Sequence, residues 1–336
     1  MSLNLIPHTV TPLIELLTGA AFAPIDNVGW IHVTGSDRVR WLNGMATNSI
    51  QDLKPGQGCY TFFLNAHGRI QGDATAWMQE DAILLETAKD RIPAMMAMLD
   101  HFIIMDDVEL AIPKDRVGLT ITGRETVSEL ERHGYKRLPD KPLHLTEDRA
   151  RNLQFIFSYS PTVPGFELWS DSATIEALLR ELALSRPPVS AEALEQLRIL
   201  SGTPLYGVDI RDKDLPQETN QTRALHFAKG CYLGQEIVER IRSRGNVHRT
   251  FTGFILSGDL PTSGTALTTS DAPEKAIGEL TSVARIQLPS GAGAEAAQLA
   301  LGYIRREILD RNATITYPGG TAIAATLPFQ LPELRA

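Results

Sequence analysis

The chain has 336 residues, room for two or three domains at roughly 150 residues each, and enough length to bury a core without disulfide staples. Hydrophobic residues make up 43% and charged residues 21%, a globular composition that argues against disorder. The 32 Lys and Arg against 40 Asp and Glu leave a net charge of −8, which disfavours direct, sequence-independent binding to nucleic-acid backbones.

Only two cysteines occur, Cys59 and Cys231. They exclude a disulfide scaffold, an all-cysteine zinc site and a self-contained four-cysteine iron–sulfur cluster, and they suit a reducing compartment. The opening MSLNLIPHTVTPLIELL lacks the basic n-region and cleavage site of a signal peptide, and no apolar stretch reaches the ~18 residues of a membrane span. A cytoplasmic protein is the expectation.

In chain order, residues 28–34 alternate like a strand and lead to Ser36, the expected cap of a short helix carrying Val39 and Leu42 and stopped by Gly44. Strand-like runs follow at 58–65, 69–77 and 82–87, with Asn65-Ala66-His67-Gly68-Arg69 as a hairpin loop. A Met-rich helix is expected over 91–101, strands near 107–112 and 117–122, and helices over 124–133 and 174–184, the last capped by Asp171 or Ser172. Pro187-Pro188 ends that unit, and Ser190 caps a helix with Leu194, Leu197 and Leu200 on one stripe. Mixed strands and helices without strict alternation predict an α+β fold. From about Thr250 short strand-like runs with turns between them predict a small all-β barrel or sandwich, with a boundary near Gly245-Asn246.

Gly291-Ala292-Gly293-Ala294-Glu295-Ala296 fits the dinucleotide pattern GxGxxA, but too little chain follows it to build a βαβ unit, so a hairpin loop is expected there. Lys229-Gly230-Cys231-Tyr232-Leu233-Gly234-Gln235-Glu236 is the strongest chemical feature. Ile237 and Ile241 make Gln235 to Arg242 one amphipathic helix, which places Cys231 just before its N-terminus with Lys229 close by. Helix dipole and cation both favour thiolate. His226 and His248 are the nearest potential bases, and neither can be seated against Cys231 from sequence. Arg240, Arg242, Arg244, His248 and Arg249 form either a solvated face, an anion site for carboxylates or phosphates, or a local contact with RNA. Trp30, Trp41, Tyr60, Trp77 and Tyr206 offer flat surfaces for a planar ligand, and Asp73 offers an acid for a ligand nitrogen.

The octet KGCYLGQE resembles the signature of the YgfZ family, relatives of the glycine-cleavage T-protein that bind folate and support iron–sulfur cluster assembly or repair. Residues 35–73, LRILSGTPLYGVD, LPQETN, GELTSVAR and ALGYIRRE resemble further segments of that superfamily, so the likeness covers most of the chain. It implies two interlocked α+β subdomains around a central opening within residues 1–246, and a C-terminal β-barrel over 247–336. It also implies tetrahydrofolate or a derivative in that opening, the pterin meeting Trp30, with Asp73, Arg198, Tyr206, Tyr232, Gln235 and Glu236 as further contacts. Cys231, Lys229 and Asp73 are the implied chemical groups. Iron–sulfur enzymes or assembly proteins are the implied partners, Cys231 touching iron or a cluster transiently without a stable metal site, and the link to tRNA modification is indirect. Two departures from T-proteins stand out: Gly72 replaces one of an acidic pair, and Leu200 replaces a glutamate before Ser201-Gly202. The alternatives are a tetrahydrofolate-dependent aminomethyltransferase and a non-catalytic folate sensor or scaffold in which Cys231 is structural.

Overall fold

The computed structural model describes residues 12–183, 188–245, 247–290, 293–311 and 313–330. The N-terminal MSLNLIPHTVT, Pro187 of the expected helix stop, Asn246 at the expected boundary and Gly291-Ala292 of the GxGxxA pattern lie outside the described residues.

Helix α1 (Leu13–Thr18) leads into β1 (Ala21–Ile25), and Asp26-Asn27 connect it to β2 (Val28–Thr34). Helix α2 (Arg38–Met45) follows Asp37, not Ser36. The Ser36 amide and hydroxyl both donate to Asp107 Oδ2, at 2.9 and 2.7 Å, so a long-range acceptor overrides the local capping rule. Gly44 sits inside the helix, which ends with the Ala46 amide donating to Leu42. Next come β3 (Gly58–Leu64), β4 (Ile70–Met78), β5 (Ile83–Ala88), α3 (Ile92–Asp100) and β6 (Glu109–Ala111). These strands form an antiparallel sheet in the order β3-β4-β5-β2-β6. Its outer face packs on α2 and α3 through Leu42, Phe63, Ala76, Leu85, Met95 and Leu99.

The second sheet uses β7 (Val117–Thr122), then, after α4 (Thr126–Arg132), β8 (His144–Asp148), β9 (Leu153–Phe157) and β10 (Gly165–Ser170). Its order is β1-β7-β10-β9-β8, so β1 leaves its neighbour β2 and joins the other sheet, with Phe22 opposite Ile121. Pro24 is tolerated because β1 is an edge strand. Helix α5 (Ser172–Leu182) is capped by Asp171, which accepts from the Thr174 amide at 2.8 Å, and α6 (Ala191–Leu200) by Ser190, which accepts from Ala193 at 3.0 Å.

The two sheets face each other through Trp30, Trp77 and Leu84 on one side and Leu145, Ile156 and Trp169 on the other. Trp77 lies across Gly58 and Trp169 across Gly118, where a Cβ would come within 2.5 and 2.7 Å of the rings. The same inward faces carry Glu86, opposite Trp30 and Thr75, and Glu167, opposite Thr120. Acids are thereby placed inside an aromatic interface.

After two 3-10 turns, Pro216–Thr219 and Thr222–Ala224, helix α7 (Gln235–Arg244) precedes the barrel. Its members are β11 (Arg249–Gly258), β12 (Ala266–Thr269), β13 (Gly278–Ser290), β14 (Gly293–Arg305), then, past α8 (Arg306–Asp310), β15 (Ile315–Tyr317) and β16 (Gly320–Ala325). They close in the order β11-β14-β13-β12-β15-β16. Strands β13 and β14 pair out to Ser290 opposite Gly293, so the chain from Gly293 runs as strand and opens no helix. Arg249 ties the barrel to the body through Asp214 (2.6 Å) and Glu218 (3.1 Å), and Arg211 pairs with Glu279. Among the described residues no helix is long and apolar enough to cross a membrane.

Candidate functional site

The octet wraps around the end of α2. Lys229 is buried, and its three ammonium hydrogens go to the carbonyl oxygens of Asn43, Ala46 and Asn48 at 2.6, 2.6 and 2.8 Å. Burial draws its pKa down to about 8. The ammonium thus plugs the carbonyls where α2 ends, and all its donors are spent there. The amides of His226 and Leu233 add bonds to Thr47 and Gly44, and Asn48 Nδ2 donates to the Arg223 carbonyl. The segment is held on both sides of Cys231, which is itself exposed, with open space around Gly230. The other thiol, Cys59, is buried, which pushes its pKa up to about 12. Among the described residues no group of His, Cys, Asp and Glu is arranged to hold a metal ion.

The start of α7 docks on the β3–β4 hairpin. Gly234 has φ 81°, and a Cβ there would lie 2.7 Å from the Asn65 carbonyl oxygen; a Cβ on Gly68 would lie 2.6 Å from Ile237. The hairpin and the octet, separate motifs in sequence, therefore need glycine for one shared contact.

A cavity of about 190 Å³ opens between the two sheets, lined in part by Tyr60, Asp73, Trp77, Glu86, Tyr159, Glu167 and Arg223. Tyr60 donates to Asp73 Oδ2 at 2.6 Å, Trp77 to Glu86 at 2.7 Å, and Ser158 and Trp169 to the two oxygens of Glu167, each at 2.9 Å. Burial raises the pKa of all three acids. For Glu86 the charge of Glu167 raises it further, and the shift is large. Arg116, whose own pKa is lowered to about 10 by burial, supplies opposing charge to both glutamates from above the Trp30 ring, 4.2 Å away. Arg223 lies between the rings of Tyr60 and Tyr159, at 4.1 and 4.0 Å.

Asp73 is in the cavity wall, and Trp30 and Cys231 are not. Trp30 is 4% exposed and packs edge-on against Trp169 at 4.9 Å, its Nε1 without a partner among the described residues. Arg198 spends all five N–H groups on Glu195, Thr203, Asp209 and Ser282, as a knot between α6 and the barrel. Tyr206 bonds Asp212 beneath Arg91, and both Tyr206 and Tyr232 pack in a small core with Tyr60 and Phe62. Gln235 bonds back to the Tyr232 amide, and Glu236 is exposed in the first turn of α7. Leu200 is fully buried in the core joining α6 to the barrel. A Cβ on Gly72 would meet Met95 Sδ at 2.3 Å, so a side chain there would have to displace Met95. Sequence reasoning missed Glu86, Glu167, Tyr159 and Arg223; the available signal was a lone acid in each of two otherwise inward-packing strands, ILLETA and GFELWS.

Residues 16–229 match the family described as the GCVT N-terminal domain. A chloroplastic protein of Arabidopsis thaliana, named as a transferase, is 26% identical over 310 residues, spanning 89% of this chain and 68% of its own length. The tRNA-modifying protein YgfZ of Yersinia enterocolitica is 24% identical over 223 residues, 66% of each chain. In structure, the glycine cleavage system aminomethyltransferase T of Bartonella henselae superposes with a TM-score of 0.82 at 20% identity, covering 95% of this chain and 88% of the other. That likeness speaks for the fold, and the six-stranded barrel and interlocked sheets agree with it. The chain belongs to the GCVT N-terminal domain family, and within that T-protein superfamily to the YgfZ family.

Proposed function

We propose that the chain is a folate-binding protein of YgfZ type that supports iron–sulfur cluster assembly or repair in the cytoplasm, with the pteridine ring in the inter-sheet cavity. The observation that carries the reading is the set of hydrogen-bonding groups in that cavity: the acids Asp73, Glu86 and Glu167 beside the donor Arg223, among aromatic walls. A 2-amino-4-oxopteridine presents an amide N–H beside an exocyclic amine, a donor pair matched to one carboxylate, and a flat ring that packs on tyrosine and tryptophan. The acids are already oriented by Tyr60, Trp77, Ser158 and Trp169, so little ordering is left to binding. At about 190 Å³ the cavity suits the ring alone. The adjoining space of about 130 Å³, which shares Tyr159, Thr203 and Arg223, suits the start of the remainder. Bound folate supplies one-carbon chemistry; the chain's part is to hold the ring and keep water from it.

Aminomethyl transfer gains no support from the site, since Gly72 and Leu200 stand where the T-protein pattern has acids: the first has no side chain and the second is buried in a hydrophobic core. Cys231 is the group through which partners would be met, because it is exposed on a segment fixed at both sides.

Titration of the purified chain with tetrahydrofolate tests the reading. Saturable binding is expected, weakened about tenfold by Glu86→Gln, which puts an amide donor where the carboxyl group has an oxygen to accept from the ring; no binding by the wild-type chain would end it. The iron–sulfur arm is tested separately, by asking whether Cys231→Ser restores iron–sulfur enzyme activity to cells lacking the protein. Failure to restore is expected, and full rescue would make Cys231 structural.

A further inference from the structure

The cavity has two electrically different ends. Around Glu86 and Glu167 the balancing cation is Arg116, behind the ring of Trp30. Around Asp73 it is Arg223, whose guanidinium lies between two tyrosine rings and borders both the 190 Å³ cavity and the adjoining 130 Å³ space. The Nε of Arg223 donates to Gln221 Oε1 at 3.2 Å. Its two terminal nitrogens make no hydrogen bond to another described residue, and no carboxylate among those residues forms an ion pair with it. The four terminal N–H groups of this half-buried guanidinium are available to donate to a ligand.

Folate carries its one-carbon unit at the junction between the pteridine ring and the aminobenzoyl arm. With the ring between the acids and the arm in the adjoining space, that junction falls at the border the two spaces share, formed by Tyr159, Thr203 and Arg223, of which Arg223 carries the charge. A methyl or methylene group offers the guanidinium nothing to accept a hydrogen bond, whereas a formyl group offers a carbonyl oxygen. We propose that the folate taken by this site is at the formyl level, and that Arg223 reads it by donating to the formyl oxygen. The inference rests on the folate reading above and names the class of one-carbon unit within it.

The test compares the affinities of tetrahydrofolate, 5-formyltetrahydrofolate and 5-methyltetrahydrofolate for the full chain, by calorimetry or quenching of tryptophan fluorescence. The formyl compound is expected to bind about tenfold or more tightly than the methyl compound, as a hydrogen bond to a charged donor provides. Arg223→Met should bring that ratio close to one, by whatever factor it changes the affinity for tetrahydrofolate itself. Arg223→Lys, which keeps one point-charge donor, should leave an intermediate ratio. Because the ratio is taken within one protein, a loosened fold weakens all three ligands together and leaves it unchanged. Equal formyl and methyl affinity in the wild type, or a ratio that survives Arg223→Met, overturns the proposal. Absence of binding by all three in the wild type overturns the folate reading instead.

Discussion

Removing the ammonium of Lys229 would leave three carbonyl oxygens, of Asn43, Ala46 and Asn48, without their donor in a closed interior. Lys229→Met is therefore expected to cost about 3 kcal/mol of stability, read from urea midpoints, and to make the segment around Cys231 more susceptible to protease. A loss below about 0.5 kcal/mol would show that water replaces the ammonium. Sequence suggested that this lysine acts on its neighbour Cys231, because adjacency is all that a local reading can see; the atoms it engages lie some 180 residues upstream. The glutamate pair gives a second expectation. Glu86 and Glu167 are held above the ordinary glutamate value of 4.5, chiefly by burial, so the folded chain keeps protons that the unfolded chain releases. That contribution is fully present below about pH 4.5 and is lost as pH rises through the folded-state values. Glu167→Gln removes it. Relative to wild type, the variant should gain in melting temperature between pH 5 and pH 8, and a difference that stays constant with pH would refute the buried-acid account.

Among the elements, the contact between α7 and the β3–β4 hairpin joins two segments that were each legible alone. Ile237 and Ile241 announce the helix by their spacing, and Asn65 to Gly68 announce the turn. Their meeting was not legible, because no local pattern encodes a contact across so long a separation. Gly234→Ala forces a left-handed residue to carry a Cβ against the Asn65 carbonyl, and a loss of about 2 kcal/mol or more is expected. Hydrogen exchange should localise the loosening to residues 229–244; protection there equal to wild type would argue against the docked geometry. Strands β9 and β10 escaped sequence reading for a different reason. Runs such as LQFIF bury nearly every residue, so they lack the alternation that identifies a half-buried strand.

For the whole molecule, the barrel was legible from the texture of the chain after Thr250, while the way it is fastened was not. Arg249 holds Asp214, which is fully buried, together with Glu218, and Tyr303 donates to the same aspartate at 3.2 Å. Arg249→Met would leave two buried acids without their cation, at an expected cost of about 3–5 kcal/mol in thermal or denaturant unfolding. A double-mutant cycle with Asp214→Asn should recover a large part of that cost, and simple additivity would separate the two groups. The crossing of β1 into the second sheet bears on how the chain is made. During synthesis β1 emerges long before its partner β7, an interval on the order of ten seconds at ordinary translation rates. The first sheet can complete itself through β6 in that time, with β1 tethered beside it as an unpaired edge. A cut between β6 and β7 would therefore yield one fragment with a surplus strand and another with a missing edge. The nascent first half is a natural client for chaperones, and the two halves cannot be separated into self-sufficient pieces.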